Sequence, residues 1–385
     1  MERVVVTGIG IVSAIGIGID AFWENAVNGM DGISQITRFD ASAYRSSTGG
    51  EIKVFKPYIR RIDSENYGLA AIYAASGARM AYEDADAASI TDINAAGVYM
   101  GTNMGDSDEA VSASVDLLRF PAFKIAAAVA EELDTTCDAV MLPNACAAGN
   151  YGIIAAYERI KNGDIKYAFC GGAEKLLETE YLGFSRLRSL APEHCAPFDK
   201  NRTGMSIGEG AAVMLLESLQ SASSRGARIY AEVIGWGASC DAYSMAIPRP
   251  DGSGLIRAMR EAIKSAQITP DEIDYICAHG TGTTANDRAE SRAINTVFGR
   301  RVPVSSVKSM IGHAMGAASA IEAAVCCMAV RTDIIPPTIG FRTPDEDCDI
   351  DCVPNISRHT RVGIAANNAS AFGGNNTCVL FRKWV

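Results

Sequence analysis

The sequence contains few aromatic residues and fewer positive than negative charges. Aromatic side chains make up 7% of the chain, and 35 Lys and Arg residues stand against 45 Asp and Glu residues. The net charge of −10 argues against general nucleic-acid binding, which requires a basic surface. With 48% hydrophobic residues over 385 positions, the chain has the composition of a globular enzyme with a large core.

Targeting, membrane-spanning and metal-binding patterns are also missing. An apolar segment begins at Val4 with no signal peptide before it, and no uninterrupted apolar stretch is long enough to cross a bilayer. The 11 cysteines are scattered without metal-ligand spacing. Cys348 and Cys352 share an acidic loop and could form a clip, but free thiols in a reducing cytosol are favoured. We therefore expect a cytoplasmic protein without a membrane segment or a bound metal.

Apolar strands alternate with helices along the whole sequence. Ala139–Leu142 and Ala211–Glu217 are predicted to be buried strands, and Gly68–Asp84 and Gly316–Arg331 are predicted helices. This alternation predicts an α/β fold with mixed, mostly parallel sheets covered by helices.

A polar link at 220–225 divides the chain into two halves, residues 1–225 and residues 226–385. Both halves repeat the same alternation, which predicts a layered, duplicated architecture. Gly8 and Gly10 imitate a dinucleotide-binding loop, but the third glycine and the acidic residue of that motif are missing. We expect a strand that leaves through a flexible turn there.

Cys146 lies at a predicted junction between the strand Ala139–Leu142 and a helix that begins at Ala147. At such a junction the unpaired backbone N–H groups and the helix dipole favour a thiolate. Small neighbouring residues allow a substrate to approach. A buried structural cysteine is the alternative for this residue taken alone.

Two of the four histidines lie in segments that are unusual for structural residues. His279 ends an apolar strand and is followed by glycines and by the hydroxyls of Thr281 and Thr283, which can bond a polar tether. His313 directly precedes the predicted apolar helix, with Lys308 before it in the sequence. A structural role is the alternative for His279.

Glu322 lies within the same apolar helix. A lysine and a glutamate in such surroundings are costly unless they pair, so we expect Lys308 and Glu322 to interact, with a surface salt bridge as the alternative.

Further along, Phe372 is followed by Gly373 and Gly374 in a turn. The functional interpretation is an oxyanion-binding N–H at Phe372 and a ring that moves on glycine hinges; an ordinary turn with a core phenylalanine is the alternative.

Taken together, these segments resemble the elongating β-ketoacyl-acyl-carrier-protein synthases (ketosynthases) of the thiolase-like fold. The resemblance covers nearly the whole chain, and its six motifs follow in the family's order. They are Val4-Val5-Val6-Thr7-Gly8-Ile9-Gly10, Ala145-Cys146-Ala147-Ala148-Gly149, Gly208-Glu209-Gly210-Ala211, His279-Gly280-Thr281-Gly282-Thr283, Lys308-Ser309-Met310-Ile311-Gly312-His313 and Phe372-Gly373-Gly374.

The resemblance implies a layered α-β-α-β-α body with Cys146 as nucleophile and His279 and His313 completing a Cys-His-His set. It further implies an oxyanion hole made by the N–H groups of Cys146 and Phe372. Such donors stabilise the tetrahedral oxyanion of acyl transfer.

In the same way, the resemblance assigns Lys308 and Glu322 to organising the histidines, and Thr281 and Thr283 to binding the phosphopantetheine arm. The implied reaction is a decarboxylative Claisen condensation of an acyl group with malonyl-ACP, in fatty-acid or specialised polyketide or polyene-type elongation. It needs no metal or redox cofactor, since the substrates are carried on phosphopantetheine.

Several positions depart from the family pattern. Thr203 replaces an aspartate, and Ser370 and Ala371 replace a Phe-Gly pair beside the gate, while Asn375 replaces a threonine. The stretch 117–137 is also shorter than usual. These changes leave open the acyl-chain preference and the choice between homodimer and heterodimer.

The partners implied are an acidic acyl carrier protein and either a second copy or a homologous, chain-length-factor-like subunit. Docking of an acidic partner on an acidic chain requires a local basic patch. Arg60, Arg61, Lys200 and Arg202 are the candidates, with a solvated basic turn as the alternative. No nucleic acid or membrane is expected. The alternative functions are an acyltransferase or non-decarboxylative condensing enzyme, or a pocket-shaping subunit of a ketosynthase heterodimer.

Overall fold

The computed structural model describes residues 2–107, 121–299 and 302–385; part of the shortened stretch 117–137 lies outside them. Within these residues, a twelve-stranded sheet runs through both halves of the chain. Its edge-to-edge order is Asp351–Cys352, Pro303–Ser305, Tyr275–Cys277, Ile364–Ser370, Asn375–Lys383, Ala231–Cys240, Val4–Ser13, Gly210–Ser218, Tyr167–Glu174, Gly97–Gly101 and Ala139–Leu142, with Gly16–Ile17 paired to Val4–Ser13.

Parallel and antiparallel pairing occupy different parts of this sheet. Gly97–Gly101 and Tyr275–Cys277, near the two edges, each pair in parallel with both neighbours. Val4–Ser13, in the middle, pairs antiparallel with both neighbours and joins the two halves. The mixed sheet is therefore confirmed, but it is less parallel than the sequence predicts, because the strands that join the halves are antiparallel.

Side chains alternate between the two faces of the sheet and build a layered body. In one half Met214 packs into the central core, and its neighbour Val213 packs into an outer core. In the other half Val379 joins the same central core, and Leu380 joins a second outer core. Each half-sheet therefore lies between central and outer helices, which confirms the α-β-α-β-α arrangement.

The helices of the described residues fill these layers. Ala148–Lys161 and Met315–Thr332 lie in the central core, whereas Leu69–Asp84 and Ser253–Ala266 lie in the two outer cores. The remaining helices are Ile19–Val27, Phe123–Leu133, Glu178–Arg186, Leu219–Ser224, Thr284–Phe298 and Lys308–Ile311. Two small sheets pair Ile334–Ile335 with Arg358–His359, and Thr48–Gly50 with Ser34–Gln35 and Ile207–Gly208.

The central helix Met315–Thr332 is apolar on all sides because protein surrounds it. By length and composition it is the one helix among the described residues that could cross a membrane, but it is 89% buried inside the fold. It starts two residues after His313 and carries Glu322 in its middle. The position of both residues is therefore set by the core of the molecule.

Two local expectations are wrong. Gly8 and Gly10 lie inside a continuous buried strand rather than in a turn. A Cβ on Gly10 would lie 1.9 Å from the carbonyl oxygen of Gly77, so the glycine is required by close packing of the helix Leu69–Asp84. Ala139–Leu142 is a sheet edge rather than a buried strand, and Val140 is 37% exposed.

Candidate active site

Cys146 lies in a turn between the edge strand and the helix Ala148–Lys161, as the sequence predicts. The preceding residue, Ala145, has a φ of +47°, in the left-handed region that non-glycine residues rarely adopt. The side chain of Cys146 is buried, with 6% exposure. The strained turn thus holds the sulfur at the start of the helix, where Cys146 lines a cavity.

The thiol is protonated at neutral pH. Burial raises the pKa of Cys146 to about 12, and this effect outweighs Lys308 and the backbone N–H of Phe372, which lower it. The expectation that local helix geometry makes a thiolate is therefore wrong for the resting protein. The proton of this thiol has to leave when the sulfur reacts.

His279 and His313 line the same cavity as Cys146. Their ring centroids are 5.2 Å apart and the ring planes are inclined by 83°. His279 follows the strand Tyr275–Cys277, and the backbone of His313 bonds to the carbonyl oxygen of Ser206 at 2.7 Å. Burial and the nearby Lys308 lower the pKa of both histidines, so both imidazoles are neutral at neutral pH.

Hydrogen bonds to Nδ1 set the same tautomer in both rings. The ammonium of Lys308, which can only donate, lies 3.4 Å from Nδ1 of His279. The backbone N–H of Met315 donates to Nδ1 of His313 at 3.2 Å. Each ring therefore carries its proton on Nε2, and the cavity is lined by two neutral imidazoles with Nε2–H donors.

Lys308 and Glu322 form a buried ion pair beside His279, each with 1% side-chain exposure. Burial raises the pKa of Glu322 to about 7, although Lys308 lowers it. The surface alternative for this pair is excluded by its burial. The carboxylate holds the ammonium in place, and the ammonium in turn contacts His279.

A second carboxylate, Glu290, fixes the turn at His279. Its two oxygens accept the backbone N–H groups of His279 and Gly280, both at 2.8 Å. Glu290 lies on the helix Thr284–Phe298, where Asn286 and Asp287 are also buried. This run of polar residues at helical spacing was a signal in the sequence for a polar helix face that points inward.

The Phe372 turn closes one side of the cavity. The N–H of Phe372 donates a hydrogen bond to the sulfur of Cys146. The ring centroid of Phe372 lies 5.4 Å from that of Phe184, and 37% of Phe372 is exposed. Gly373 and Gly374 both have a φ of +79°, which favours glycine. The N–H of Gly373 donates to the carbonyl oxygen of Met245 at 2.8 Å.

The cavity measures about 410 Å³ and leads from Cys146 to the surface. Thr281 and Thr283 line it, and their hydroxyls lie 2.9 Å apart. Thr203 and Ser370, two of the positions that depart from the family pattern, line it as well. Thr203 and Ser370 are thus placed where they would contact a bound substrate.

The predicted docking residues are not at the cavity mouth. Arg202 is 2% exposed and paired with Asp345, so this docking prediction is wrong because the side chain is buried. Arg60 pairs with Glu83 and Arg61 pairs with Asp134. Lys200 is exposed but does not line the cavity.

Arg188, which sequence reasoning missed, is exposed and lines the cavity. Arg45 donates to the carbonyl oxygen of Arg188 at 3.3 Å, and neither arginine forms an ion pair with a described residue. Phe184 and the loop from Asp241 to Pro248 also line the cavity. They carry no sequence motif and are brought to the site by the fold alone.

Family comparison agrees with this geometry over most of the chain. The model of the β-ketoacyl synthase N-terminal domain matches residues 1–222, and that of the C-terminal domain matches residues 230–342. The chain belongs to the β-ketoacyl synthase family. The resemblance to elongating β-ketoacyl-ACP synthases and the thiolase-like fold are thereby confirmed.

Individual relatives align over their full length with this β-ketoacyl synthase. It is 38% identical to 3-oxoacyl-[acyl-carrier-protein] synthase 2 of Synechocystis sp., covering 100% of this chain and 98% of the relative. It is 35% identical to the enzyme of the same name from Staphylococcus aureus (strain COL), covering 100% of this chain and 99% of the relative.

Solved structures of similar proteins include the ishigamide ketosynthase/chain length factor, at 38% identity and a TM-score of 0.94 over 100% of both chains. A second is AntDE:AntF, a type II PKS acyl-carrier protein in complex with its ketosynthase, at 31% identity and a TM-score of 0.92 over 100% of both chains.

Proposed function

We propose that this β-ketoacyl synthase holds an acyl group on Cys146 and condenses it with malonyl-ACP to give β-ketoacyl-ACP. The observation that carries the proposal is the cavity in which the buried thiol of Cys146 faces two neutral imidazoles with Nε2–H donors. The names of the relatives from Synechocystis and Staphylococcus support the same chemistry.

In the first half-reaction the sulfur of Cys146 attacks the thioester carbonyl of acyl-ACP. The N–H groups of Cys146 and Phe372 stabilise the tetrahedral oxyanion, and each such donor lowers a barrier by about 2.7–4 kcal/mol. The S–C bond to phosphopantetheine then breaks. The Nδ1 atoms of both histidines are occupied and their Nε2 atoms are protonated, so the proton of Cys146 goes to the departing phosphopantetheine thiolate.

In the second half-reaction His279 and His313 donate from Nε2 to the thioester carbonyl of malonyl-ACP. The bond between the α-carbon and the carboxylate breaks, CO₂ leaves, and the electron pair enters the enolate, whose oxygen both donors stabilise. The enolate carbon attacks the acyl carbonyl on Cys146, and the C–S bond breaks. Cys146 leaves as a thiolate and takes up a proton from solvent, which restores the resting thiol. The electron pair comes from the broken C–C bond, so the reaction needs no metal or redox cofactor.

The neutral state of the histidines is part of this mechanism. A neutral imidazole donates a hydrogen bond from Nε2–H, but it is a far weaker acid than an imidazolium and does not protonate the enolate carbon in a wasteful side reaction. Lys308 supports the neutral state by its charge and orients His279 through Nδ1. Glu322 holds the ammonium of Lys308 in place. Glu290 fixes the backbone turn at His279.

For the partners, we propose an acidic acyl carrier protein at the cavity mouth and a second subunit at the sheet edge. Arg188 and Arg45, which form no ion pair within the described part of the chain, supply positive charge beside the mouth of an otherwise acidic chain. Among the described residues the half-exposed strand Ala139–Leu142 forms an edge of the sheet with apolar side chains, which suits pairing with a second copy or a homologue. The free thiols fit the cytoplasm.

Intact-protein mass spectrometry with acyl-ACP, followed by addition of malonyl-ACP, tests the proposal. We expect one acyl adduct that is absent from Cys146→Ala and present in Cys170→Ala, a control at a buried cysteine away from the cavity. Malonyl-ACP should then release CO₂ and β-ketoacyl-ACP. An adduct without CO₂ release would favour the acyltransferase alternative. Absence of the adduct would favour a pocket-shaping subunit.

A further inference from the structure

Glu174 is a buried carboxylate that the steps above do not use. It ends the strand Tyr167–Glu174 and is fully enclosed, with 0% exposure. It accepts hydrogen bonds from two separate parts of the chain, the segment 102–105 and the start of the helix that follows His313. The carboxylate therefore connects the segment 102–105, which follows the strand Gly97–Gly101, to the turn that carries His313.

The two oxygens of Glu174 have different partners. Oε1 accepts from the N–H of Met104 at 3.0 Å and that of Gly105 at 2.5 Å. The hydroxyl of Thr102 lies 3.2 Å from Oε1, but it has one proton and a closer acceptor in the carbonyl oxygen of Ala173 at 2.9 Å. Oε2 accepts from the N–H of Asn103 at 2.6 Å and from the N–H of Gly316 at 3.0 Å. Gly316 is thus held by Oε2 alone.

Gly316 directly follows Met315, the residue whose N–H donates to Nδ1 of His313. Met315 has a φ of +41°, a left-handed conformation that persists only where surrounding contacts enforce it. A Cβ on Gly316 would lie 2.4 Å from the backbone nitrogen of Asn103, so the helix start is packed tightly on that segment. The bond from Glu174 to Gly316 is the polar contact that fixes this packing beside the strained residue.

We propose that Glu174 is a positioning residue that sets the tautomer of His313. By holding the N–H of Gly316, it keeps Met315 in its strained conformation and the N–H of Met315 on Nδ1 of His313. The proton of His313 then stays on Nε2, facing the cavity. The value of this tautomer for catalysis rests on the proposed function, but the tautomer itself can be measured without turnover.

Glu174→Gln separates the two sets of contacts. An amide nitrogen cannot accept a hydrogen bond from an N–H, so one side of the glutamine must face donors that it cannot satisfy. Keeping the carbonyl oxygen at Oε1 retains the N–H groups of Met104 and Gly105 and loses the Gly316 bond. Keeping it at Oε2 retains Asn103 and Gly316, but a neutral carbonyl replaces the carboxylate and the Gly316 bond is weakened.

Glu132→Gln is a matched control. Glu132 is also 0% exposed, and its oxygens accept the backbone N–H groups of Arg60, Arg61 and Ile62 and the side chain of Arg79. It does not line the cavity. This variant loses a comparable set of bonds without contact to the His313 turn.

Histidine-selective ¹⁵N NMR measures the tautomer, which is practical because the chain has only 4 histidines. We expect His313 to be protonated on Nε2 in the wild-type chain and in Glu132→Gln, and to populate both tautomers in Glu174→Gln. Decarboxylation of malonyl-ACP should fall relative to acylation of Cys146 in Glu174→Gln only. The fall should be smaller than the about 10²–10³-fold cost of removing a donor outright.

Three results would overturn the proposal. They are an Nδ1-protonated His313 in the wild-type chain, an unchanged tautomer in folded Glu174→Gln, and a shift of equal size in Glu132→Gln. The wild-type measurement decides even if Glu174→Gln does not fold. Failure of the proposed function would instead leave the tautomers as expected while no acyl adduct forms.

Discussion

Replacement of Lys308 by methionine tests whether the buried ion pair serves stability, catalysis or both. Lys308 and Glu322 each have 1% side-chain exposure, and Oε2 of Glu322 has no hydrogen-bond partner among the described residues. The Lys308→Met variant thus leaves a buried carboxylate without its cation. Removing one partner of such a pair costs about 3–5 kcal/mol of the free energy of unfolding.

The cost should depend on pH in a defined direction. Burial raises the pKa of Glu322 from 4.5 to about 7 even with Lys308 present, and loss of the cation raises it further. A carboxyl whose pKa is higher in the folded state keeps its stabilising contribution below the unfolded pKa and loses it as the pH rises through the folded pKa. Urea denaturation should therefore show a larger loss for Lys308→Met at pH 8 than at pH 5.

The double variant Lys308→Met with Glu322→Leu separates stability from catalysis. Exchange of a buried pair for apolar residues of similar size is often neutral or stabilising, so the unfolding free energy should return to near the wild-type value. Decarboxylation should not recover, because Nδ1 of His279 still lacks its donor. We expect a rate about tenfold or more below that of the wild-type chain, short of the about 10²–10³-fold cost of losing a donor outright.

Full recovery of decarboxylation in the double variant would refute the assigned role of Lys308 at His279. Equal instability of the single and double variants would refute the account of the buried charge. Both quantities are measured on the same preparations, by denaturant titration and by ¹⁴CO₂ release from labelled malonyl-ACP. The role of Lys308 at His279 and the cost of the buried charge are therefore tested independently.

Other predictions concern protonation, docking and the gate. Because burial and Lys308 hold the pKa of His279 and His313 well below 6.5, an NMR titration of the two histidines should show no protonation near pH 6.5. A titration midpoint at pH 6.5 for either ring would contradict the neutral-imidazole mechanism. Arg188→Glu should raise KM several-fold for carrier-bound substrates and leave KM for free pantetheine thioesters unchanged. Arg61→Glu, the control, should leave KM unchanged for both kinds of substrate. Phe372→Ala keeps the backbone N–H, so the rate of Cys146 acylation, followed by stopped-flow mass analysis, should stay within about tenfold of the wild-type rate. Its preference among acyl-chain lengths should change. A loss of about 10²-fold in acylation, as large as that from deleting an oxyanion donor, would assign the contribution of Phe372 to its ring rather than to its N–H.

The sequence predicts the layered fold and the strand–turn–helix position of Cys146 because these depend on local signals. Alternating apolar segments identify the strands, and the position of a helix start follows from its neighbours. His279 and His313 are likewise found from the motifs around them. What the motifs do not contain is the direction of each ring's proton, which is set by Lys308 and Met315 in the folded chain.

Predictions that depend on burial failed for a common reason. Arg202 is a charged residue of the kind usually found at the surface, but it is buried and pairs with Asp345. The pKa of the Cys146 thiol is set by burial rather than by the helix dipole. Arg188 reaches the cavity from a segment without a motif. Exposure depends on chain segments that are distant in sequence, so no local pattern reports it.

The enclosed helix Met315–Thr332 also determines how the protein loses activity when heated. His313 and Glu322 are attached to an element that contacts both half-sheets, and the helix has no exposed face along which it could loosen separately. Local opening needs a region with few buried contacts. Inactivation and global unfolding should therefore share one midpoint, and the amides of this helix should exchange with solvent only when the whole chain unfolds.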